Sequence, residues 1–428
     1  MTKLAIIGGG SAYTPDILES LLAEPHLFQG WEWVLHDVDR AAVATIARLG
    51  QGLARAAGCE VRVRPTLDLA EALAGARFVL AQPRPGGLRH RALDERIPLR
   101  HGVIGQETVG PGGLSFAWRS IPVMVEVARQ MARLAPGAWL ISYTNPAGMV
   151  CEALLRVQPG VRFLCLCDMP SGLQHEIARV LRADPGRVAL EYRGLNHAGW
   201  SARVLLDGED VTPRLLRLAR RLPVEWLWPG EVAGTVRLFK EHGHLPDPYL
   251  RYYYYTDAIL RRLRRARRTR AEVLLERLPR LYAHFRAQAA APRPRLRLHR
   301  GHATHGDLAA GIIRAIAAGR RERYVIQQQN AGHVGGLVPG HAAQFPAEVG
   351  PDGWRPLPVP ALDGPEGELI RRIQAAELRN VDAALTGDRQ AAVEAMALNP
   401  LVPSRAVAER LVEELLAAHR EYLPQFGG

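Results

Sequence analysis

Two segments of the sequence carry side chains that could hold a divalent metal ion. Cys167 begins the sequence CDMP after an apolar stretch typical of a strand, and His197 ends the sequence GLNH. A thiolate and an imidazole from separate segments can bind a divalent ion whose other positions are taken by substrate oxygens. The other interpretation is that both side chains are ordinary packed residues, and spacing alone does not decide between the two.

A strip of tyrosines lies further along the chain. Five of the eleven tyrosines fall within the seven residues 249–255. Such a strip is typical of an aromatic face in a core or a subunit interface. A tyrosine beside a metal cation has another use, because the cation lowers the phenol pKa and lets the side chain act as a base. Both interpretations stay open here.

A glycine-rich turn near the start of the chain indicates a dinucleotide site. The turn consists of Gly8, Gly9, Gly10 and Ser11, between an apolar strand and a helical pattern. This order lets the backbone approach a pyrophosphate at the N-terminus of the helix. Asp37 ends the next predicted strand, where a carboxylate accepts hydrogen bonds from ribose hydroxyls and favours NAD over NADP. The usual third glycine is absent, so a purely structural turn is the alternative.

Two polar segments, 105–113 and 142–146, also have the composition of a ligand-binding edge. The first reads GQETVGPGG and the second SYTNP after a predicted strand. Loops at the carboxyl ends of parallel strands bind ligands in open α/β folds. The alternative is that these residues form ordinary loops and a turn.

Strands and helices alternate in the first part of the chain. Strands are predicted at residues 3–7, 31–35, 60–63, 78–81, 138–142 and 163–167, and helices at 14–23, 40–57, 67–73 and 121–134. Such alternation predicts an α/β fold in which a mostly parallel, doubly wound, Rossmann-like sheet has helices on both faces.

The pattern changes beyond about residue 168. Strands are predicted at 189–192 and 200–206, helices at 215–222, 257–291, 307–318, 366–385 and 406–420, and a proline-rich loop at 346–360. We therefore expect a NAD-binding Rossmann-like domain at residues 1–168. A mixed, largely helical α+β domain is expected at residues 169–428.

Charge and composition narrow the possible partners. The 428 residues carry a net charge of +12, yet only two of the 55 basic residues are lysine, which indicates a bias towards arginine throughout the chain. Seven arginines cluster at residues 260–270. A solvated helix face is the simplest interpretation, and an anionic small molecule or a subunit contact is the alternative. No zinc-finger or aromatic-interleaved pattern accompanies them, so we expect no nucleic-acid partner.

Other features indicate a cytoplasmic location. The four cysteines are too few for a disulfide framework in a chain of this length and fit a reducing compartment. The chain has no apolar run of about 20 residues, so no membrane partner is expected. Its first residues, MTKLAIIGGG, lack the basic region and cleavage site of a signal peptide.

Taken together, the motifs resemble glycoside hydrolase family 4, the NAD- and metal-dependent glycosidases. The resemblance spans almost the whole chain in order: GGGSAYTP, RALDERIP, GQETVGPGG, YTNPAG, CDMP, GLNHAGW, PDPYLRYYYYTD and the segment 376–404. Each motif is unspecific alone, whereas the ordered set is highly specific. The NAD-dependent members of this family depart from the usual mechanism of two carboxylates.

The resemblance implies an oxidative elimination in which the hydride is returned. NAD takes hydride from C3 of the sugar, a tyrosine removes the acidified C2 proton, and the aglycone leaves from C1. Cys167 and His197 would bind the metal, usually manganese, which holds the C2 and C3 oxygens. Tyr249 is the expected base, with Tyr252 and Tyr253 as alternatives. A homo-oligomer, dimer or tetramer, is expected, with metal binding, substrate binding and subunit contacts carried by residues 169–428.

The resemblance also implies a sugar substrate that carries a 6-phosphate. Sugar hydroxyls would be held by Arg91, Glu107, Asn145 and Asn196. Arg270, in the sequence TRAEV, lies where relatives place a phosphate-binding arginine.

Anomer preference is divided among the motifs. Asp168 in CDMP resembles the 6-phospho-α-glucosidases, where this aspartate assists the leaving group. RSIPVM, YYYYTD and TRAEV resemble the 6-phospho-β-glucosidases, although residues 301–306 lack the tyrosine and serine of that branch. We therefore expect a 6-phospho-β-glucosidase-like enzyme, with the α activity as the alternative. A different class, a NAD-dependent 2-hydroxy acid dehydrogenase, would consume NAD stoichiometrically and would not need Cys167 and His197.

Overall fold

The computed structural model describes residues 1–301 and 306–427, so residues 302–305 of the segment 301–306 lie outside the described residues. In chain order, strands β1–β13 of the described part are Lys3–Ile7, Glu32–His36, Arg62–Thr66, Phe78–Ala81, Trp139–Ser142, Arg162–Cys165, Val188–Leu195, Ala198–Leu206, Glu209–Asp210, Leu245–Pro246, Glu322–Gln329, Ala342–Gly350 and Gly353–Pro356. Helices α1–α16 are Thr14–Leu21, Arg40–Ala56, Leu69–Leu73, Gly87–Arg100, Gly110–Leu134, Ala147–Val157, Asp168–Leu181, Thr212–Arg220, Glu231–His242, Arg251–Tyr254, Thr256–Arg265, Arg270–Ala290, Asp307–Ala317, Gly364–Thr386, Arg389–Leu398 and Arg405–His419.

One mixed sheet contains these strands. Its order is β10-β8-β7-β12-β11-β6-β5-β4-β1-β2-β3, with β13 beside β12 and β9 beside β8. The pairs β3-β2, β2-β1, β1-β4, β4-β5 and β5-β6 are all parallel, which is the doubly wound order of dinucleotide-binding folds. From β6 onwards the pairing is antiparallel. The predicted fold class is therefore confirmed.

The apolar core lies on both faces of the parallel half of the sheet. In β1, Leu4 and Ile6 pack into one cluster, whereas Ala5 and Ile7 pack into another on the opposite face. Successive strand residues point to opposite faces, so a strand covered by helices on both sides is apolar throughout. The run of five buried residues in β1 therefore predicts a central strand.

Two predicted elements in the second half are wrong. The helix predicted at 257–291 is broken into α11 and α12, because Thr269 and Glu272 form a capping box that starts a new helix. The loop predicted at 346–360 contains the end of β12 and all of β13. Pro346 lies inside β12, opposite Val325 of β11, so proline content alone misled the prediction there.

The glycines at the end of the segment 105–113 form a helix rather than a loop. Gly110, Gly112 and Gly113 lie in the first turn of α5, which begins eleven residues earlier than the predicted helix at 121–134. A side chain at Gly112 or Gly113 would overlap the backbone of residues 106 and 108. These glycines therefore let residues 105–109 fold closely against α5, which positions the polar residues before the helix.

The sheet continues without a break from the parallel half into the antiparallel half through the bridge between Cys165 and Gln327. The boundary between residues 168 and 169 stays a prediction. No helix in the described part of the chain is long and apolar enough to cross a membrane.

Candidate active site

The glycine turn lies where the strand order reverses, between β1 and β4. Gly8 has a φ of +78°, and a Cβ there would lie 2.9 Å from the carbonyl carbon of Gln82. The Gly9 N–H donates to the His36 carbonyl at 2.7 Å, and the Gly10 N–H donates to Asp37 Oδ2 at 2.9 Å. The structure thus brings the predicted turn and Asp37 together at the switch point, where such folds bind ligands.

The predicted metal-binding residues come from two strand ends. Cys167 is the N-cap of α7, two residues beyond β6, and its sulfur accepts from the Met169 N–H at 3.5 Å. Leu195 pairs with Ala198, so Asn196 and His197 form a two-residue hairpin turn between β7 and β8. His197 has a φ of +59°, a left-handed conformation that this tight turn requires.

Contacts place Cys167, His197 and Tyr249 in one buried site. The Asn196 side chain lies beside the Cys167 thiol. His197 Nδ1 lies 2.9 Å from Thr108 Oγ1, and its ring stacks on Tyr249 with the ring centroids 4.0 Å apart. The structure therefore brings together side chains that are up to 141 residues apart in the chain.

The electrostatics of this site fit a divalent cation. Burial, followed by Asp168 and Asp247, raises the pKa of the Cys167 thiol well above its usual value. Burial also lowers the pKa of His197 to about 4, so the imidazole is neutral and can act as a ligand. The Thr108 contact occupies Nδ1, which leaves Nε2 for the ion. A bound cation would reverse the effect on the thiol, because it favours the thiolate.

The protein supplies only part of a metal shell. Within residues 1–301 and 306–427, no group of three or more His, Cys, Asp and Glu side chains is arranged to hold a metal ion. Cys167 and His197 fit an ion whose remaining positions are filled by oxygens of another molecule, as in sites that bind substrate directly.

Tyr249 is the member of the tyrosine strip that faces His197. Asp247 orients it, because Asp247 Oδ1 accepts from the Tyr249 N–H at 2.9 Å and Oδ2 accepts from the Tyr192 hydroxyl at 3.1 Å. The alternatives have other partners: the Tyr252 hydroxyl accepts from Arg251 at 3.3 Å, and Tyr253 hydrogen-bonds Asn399.

Burial, followed by the negative charge of Glu107, raises the pKa of Tyr249 well above 10. The phenol would therefore need a nearby cation to lose its proton near neutral pH. Asp168 lies in the same site, since its charge also raises the pKa of Cys167 and of Tyr143.

A second group of predicted residues forms a charged network along α4. Glu107 Oε2 lies 2.8 Å from both Arg84 and Arg91, and Arg91 Nε donates to Glu95 at 2.8 Å. Burial opposes ionisation of Glu107, but Arg84 and then Arg91 outweigh it and hold its pKa below the usual value. The charge of Glu107 also acts on His197, so this network borders the site of Cys167 and His197.

Asn145 follows β5 and precedes Pro146 and α6, at the carboxyl edge of the sheet predicted for it. Arg270 is placed differently from the other predicted substrate residues. It is the first residue of α12 and its side chain is exposed, whereas the next N–H, that of Ala271, donates to buried Glu95 at 2.8 Å. Arg270 therefore lies at the outer end of the charged network and not inside it.

Sequence reasoning missed three residues of this site. Arg84 follows β4 in the sequence RPGG, Thr108 lies in GQET, and Asp247 precedes the tyrosine strip. A charged residue directly after the central strand β4 was the available signal for Arg84. The contact of Thr108 with His197 and that of Asp247 with Tyr192 are long-range, so no local pattern predicts them.

Comparisons with known proteins agree along the whole chain. A model described as "Family 4 glycosyl hydrolase" matches residues 3–183, and its C-terminal domain model matches residues 192–402. The "Probable 6-phospho-beta-glucosidase" of Bacillus subtilis (strain 168) is 35% identical over 432 residues, covering 99% of this chain and 98% of the relative.

Two solved structures are similar over nearly the full length. The 6-phospho-beta glucosidase from Thermotoga maritima with manganese, NAD+ and glucose-6-phosphate has a TM-score of 0.88 and 26% identity, covering 98% of this chain and 99% of that one. A 6-phospho-alpha-glucosidase from gut microorganisms in complex with NAD and Mn2+ has a TM-score of 0.90 and 28% identity, covering 99% of both chains.

Proposed function

The chain belongs to glycosyl hydrolase family 4, and from that premise we propose that it hydrolyses glucosides that carry a 6-phosphate, with the β-linked ones as its main substrates. The observation that carries this proposal is the meeting of Cys167, His197 and Tyr249 in one buried site beside the charged network of Glu107. A plain 2-hydroxy acid dehydrogenase would have no use for the first two side chains.

Two cofactors are proposed, NAD and Mn2+, both of which are bound in the solved relatives. When bound, NAD supplies reversible removal of hydride from C3 of the sugar, and the metal supplies positive charge beside the sugar oxygens. Gly8, Gly9, Gly10 and Ser11 would receive the pyrophosphate, and Asp37 the ribose hydroxyls. Cys167 and His197 would hold the metal.

Tyr249 is proposed as the base that removes the C2 proton. Its ring position is fixed by the stack on His197, and its backbone is fixed by Asp247. The proton leaves C2 for the phenolate oxygen, and the electron pair left on C2 expels the aglycone from C1. Water then adds at C1, and the same oxygen can return a proton to C2.

The remaining site residues are proposed to bind and orient the sugar. Arg91, Glu107, Asn145 and Asn196 would hold its hydroxyls, and Arg270 would meet the 6-phosphate at the exposed end of the network. Asp168 would donate a proton to the leaving oxygen. If Asp168 acts only by supporting the metal site through hydrogen bonds, its replacement would lower the rate equally for all leaving groups.

An α-glucosidase activity is the second candidate. It is favoured by Asp168 and by the similarity to the 6-phospho-alpha-glucosidase structure. We also propose a cytoplasmic enzyme that forms a dimer or a tetramer and has no nucleic-acid partner. All four cysteines are free thiols, which fits a reducing compartment.

The test is the turnover of nitrophenyl α- and β-glucoside 6-phosphates, each with and without NAD and manganese. We expect turnover of the β-substrate that requires both cofactors. Turnover of the α-substrate alone would reassign the anomer. Absence of turnover of both substrates in the presence of NAD and manganese would contradict the proposal.

A further inference from the structure

A group of buried amides next to the metal-binding hairpin has no hydrogen-bond partners. Gln327 of β11 and Gln344 of β12 lie directly opposite each other and are 1% and 0% exposed. Neither amide oxygen nor amide nitrogen of either side chain is hydrogen-bonded within the described residues, and the same holds for Asn196 Nδ2. Buried polar groups are almost always paired, so several unpaired ones together require an explanation.

The side chains of Asn196 and Gln327 lie near the carboxyl group of Glu377 around Gly148, in the first turn of α6. A Cβ at Gly148 would lie 3.1 Å from Asn196 Cβ, 3.5 Å from Gln327 Oε1 and 3.6 Å from Glu377 Oε2. The three side chains, from β11, α14 and the hairpin, therefore surround one point. Gly148 and Glu377 each keep part of their surface accessible.

Glu377 differs from most carboxylates of the chain. Within the described part of the chain it forms no ion pair with an arginine, lysine or histidine. Burial, followed by the charge of Glu152, raises its pKa to about 8. A carboxyl that stays protonated at neutral pH is both a donor and an acceptor of hydrogen bonds.

The donor and acceptor pattern defines the class of ligand. Amide groups and a protonated carboxyl offer donors and acceptors together but no net charge. A cation would meet the amide N–H groups, and an anion would meet a carboxyl without a compensating positive charge. A hydroxyl group matches this mixture, because it donates one hydrogen bond and accepts others.

The position of the cluster links it to the substrate. The Asn196 side chain lies beside the Cys167 thiol, and Asn196 directly precedes His197. Gly148 lies three residues after Asn145, a proposed sugar-binding residue. The cluster therefore borders the space in which the proposed function places the sugar.

We propose that Glu377, Gln327 and Asn196 form a subsite that binds a hydroxyl group of the saccharide substrate. The hydroxyl belongs either to the glucose ring that is oxidised or to a sugar in the aglycone. This subsite rests on the proposed function, since it presupposes a phosphorylated glucoside in the neighbouring space.

The experiment compares two substrates and three variants, with NAD and manganese saturating. One substrate is nitrophenyl β-glucoside 6-phosphate, whose aglycone has no sugar hydroxyl. The other is a β-linked glucose disaccharide with the 6-phosphate on its non-reducing ring. The variants are Glu377→Ala, Glu377→Gln and, as a matched control, Glu368→Ala, which removes an exposed carboxylate from the same helix.

We expect Glu377→Ala to raise KM about 10-fold, the factor expected from loss of one hydrogen bond in a site built for it. Glu377→Gln should recover most of this loss, because an amide keeps a donor and an acceptor, and Glu368→Ala should behave as wild type. If KM rises only with the disaccharide, the hydroxyl belongs to the aglycone. A rise with both substrates assigns it to the glucose ring.

A second variant keeps the test valid if Glu377→Ala folds poorly. Gly148→Ala retains every polar group but places a methyl where the three side chains meet, and it should also raise KM. Unchanged KM in both Glu377→Ala and Gly148→Ala would mean that the cluster holds buried water only, and a fall in kcat at unchanged KM would mean a structural role. Either result overturns the subsite while wild-type turnover preserves the proposed function. Absence of wild-type turnover on both substrates overturns both.

Discussion

The glycine turn proposed to bind NAD and the hairpin of Asn196 and His197 proposed to bind the metal are built in different ways. In the turn, the N–H groups of Gly9 and Gly10 already have partners in His36 and Asp37. Beside the hairpin, Asn196, Gln327 and Gln344 carry amide atoms without partners. These two N–H groups of the first region are therefore paired, whereas the second region has unmatched amide groups and strongly shifted pKa values.

This difference indicates where the chemistry is concentrated. Perturbed pKa values and unpaired polar groups cluster at functional sites, because the polar groups of such sites pair with a ligand and not with one another. Substitutions in the hairpin region should therefore abolish the reaction while sparing NAD binding. Substitutions at the turn should weaken NAD binding while sparing metal binding.

The largest effect is expected from the metal-binding residues. Cys167→Ala or His197→Ala should lower activity by more than about 100-fold, since even supporting residues of metal sites commonly cost 10–100-fold. NAD binding, measured by calorimetry, should stay near wild type. Cys59→Ala, which removes a buried thiol in the dinucleotide-binding half, is the matched control. Wild-type manganese dependence in Cys167→Ala would refute the ligand assignment.

Loss of the base should have the next largest effect. Tyr249→Phe removes one oxygen and should lower the rate by about 10²–10⁴-fold, the usual contribution of a positioned base. Exchange of the C2 hydrogen with solvent, followed by NMR, should disappear. Tyr252→Phe should keep this exchange. If Tyr252→Phe loses the exchange and Tyr249→Phe keeps it, Tyr252 is the base.

At the turn, Asp37→Ala should weaken NAD binding by about 10–100-fold, because hydrogen bonds to a charged group contribute about 1.5–3 kcal/mol. Manganese binding should not change. Asp39→Ala is the matched control, since Asp39 caps α2 and its loss should cost about 1 kcal/mol of stability without affecting NAD. Equal NAD affinities in the two variants would contradict a ribose contact by Asp37.

The smallest effect concerns the pH dependence of stability. The pKa of Glu377 is raised to about 8, against about 4.3 in an unfolded chain. The folded state therefore binds the proton more tightly, and stability falls as the pH rises from about 4 towards 8. Glu377→Gln lacks this loss, so its free energy of unfolding relative to wild type should rise between pH 5 and pH 7, by about 2–3 kcal/mol. Thermal unfolding at the two pH values measures this change. A constant difference, as expected for Glu368→Gln, would show that Glu377 is ionised throughout.

The sequence predicts the turn region well for a physical reason. The alternation of buried strands and helices is determined by local sequence. The position of Asp37 is determined by the end of its own strand, which neighbours β1. β1 and β4 were predicted with their observed bounds. The close packing at Gly8, Gly9 and Gly10 leaves no room for a side chain, so residue type is enough to predict this turn.

The hairpin region could be predicted only in part. Cys167, His197 and Tyr249 were chosen from motifs, whereas Thr108, Asp247 and the amides Gln327 and Gln344 were not. Several of their contacts join segments more than 50 residues apart. Thr108 contacts His197, Asp247 contacts Tyr192, and Gln344 pairs with Gly194. Gln327 lies beside Gly148. Local propensity carries no information on such contacts, and a buried glutamine looks like a surface residue in sequence.

The most direct test follows the C2 hydrogen during hydrolysis of nitrophenyl β-glucoside 6-phosphate in D2O, with NAD at the concentration of the enzyme. Mass spectrometry of the glucose 6-phosphate produced should show about one deuterium at C2 per molecule over many turnovers, because Tyr249 removes the original proton and the hydride is returned to C3. Product that retains hydrogen at C2, or turnover that stops after one equivalent of NADH, would contradict the oxidative elimination proposed for this enzyme.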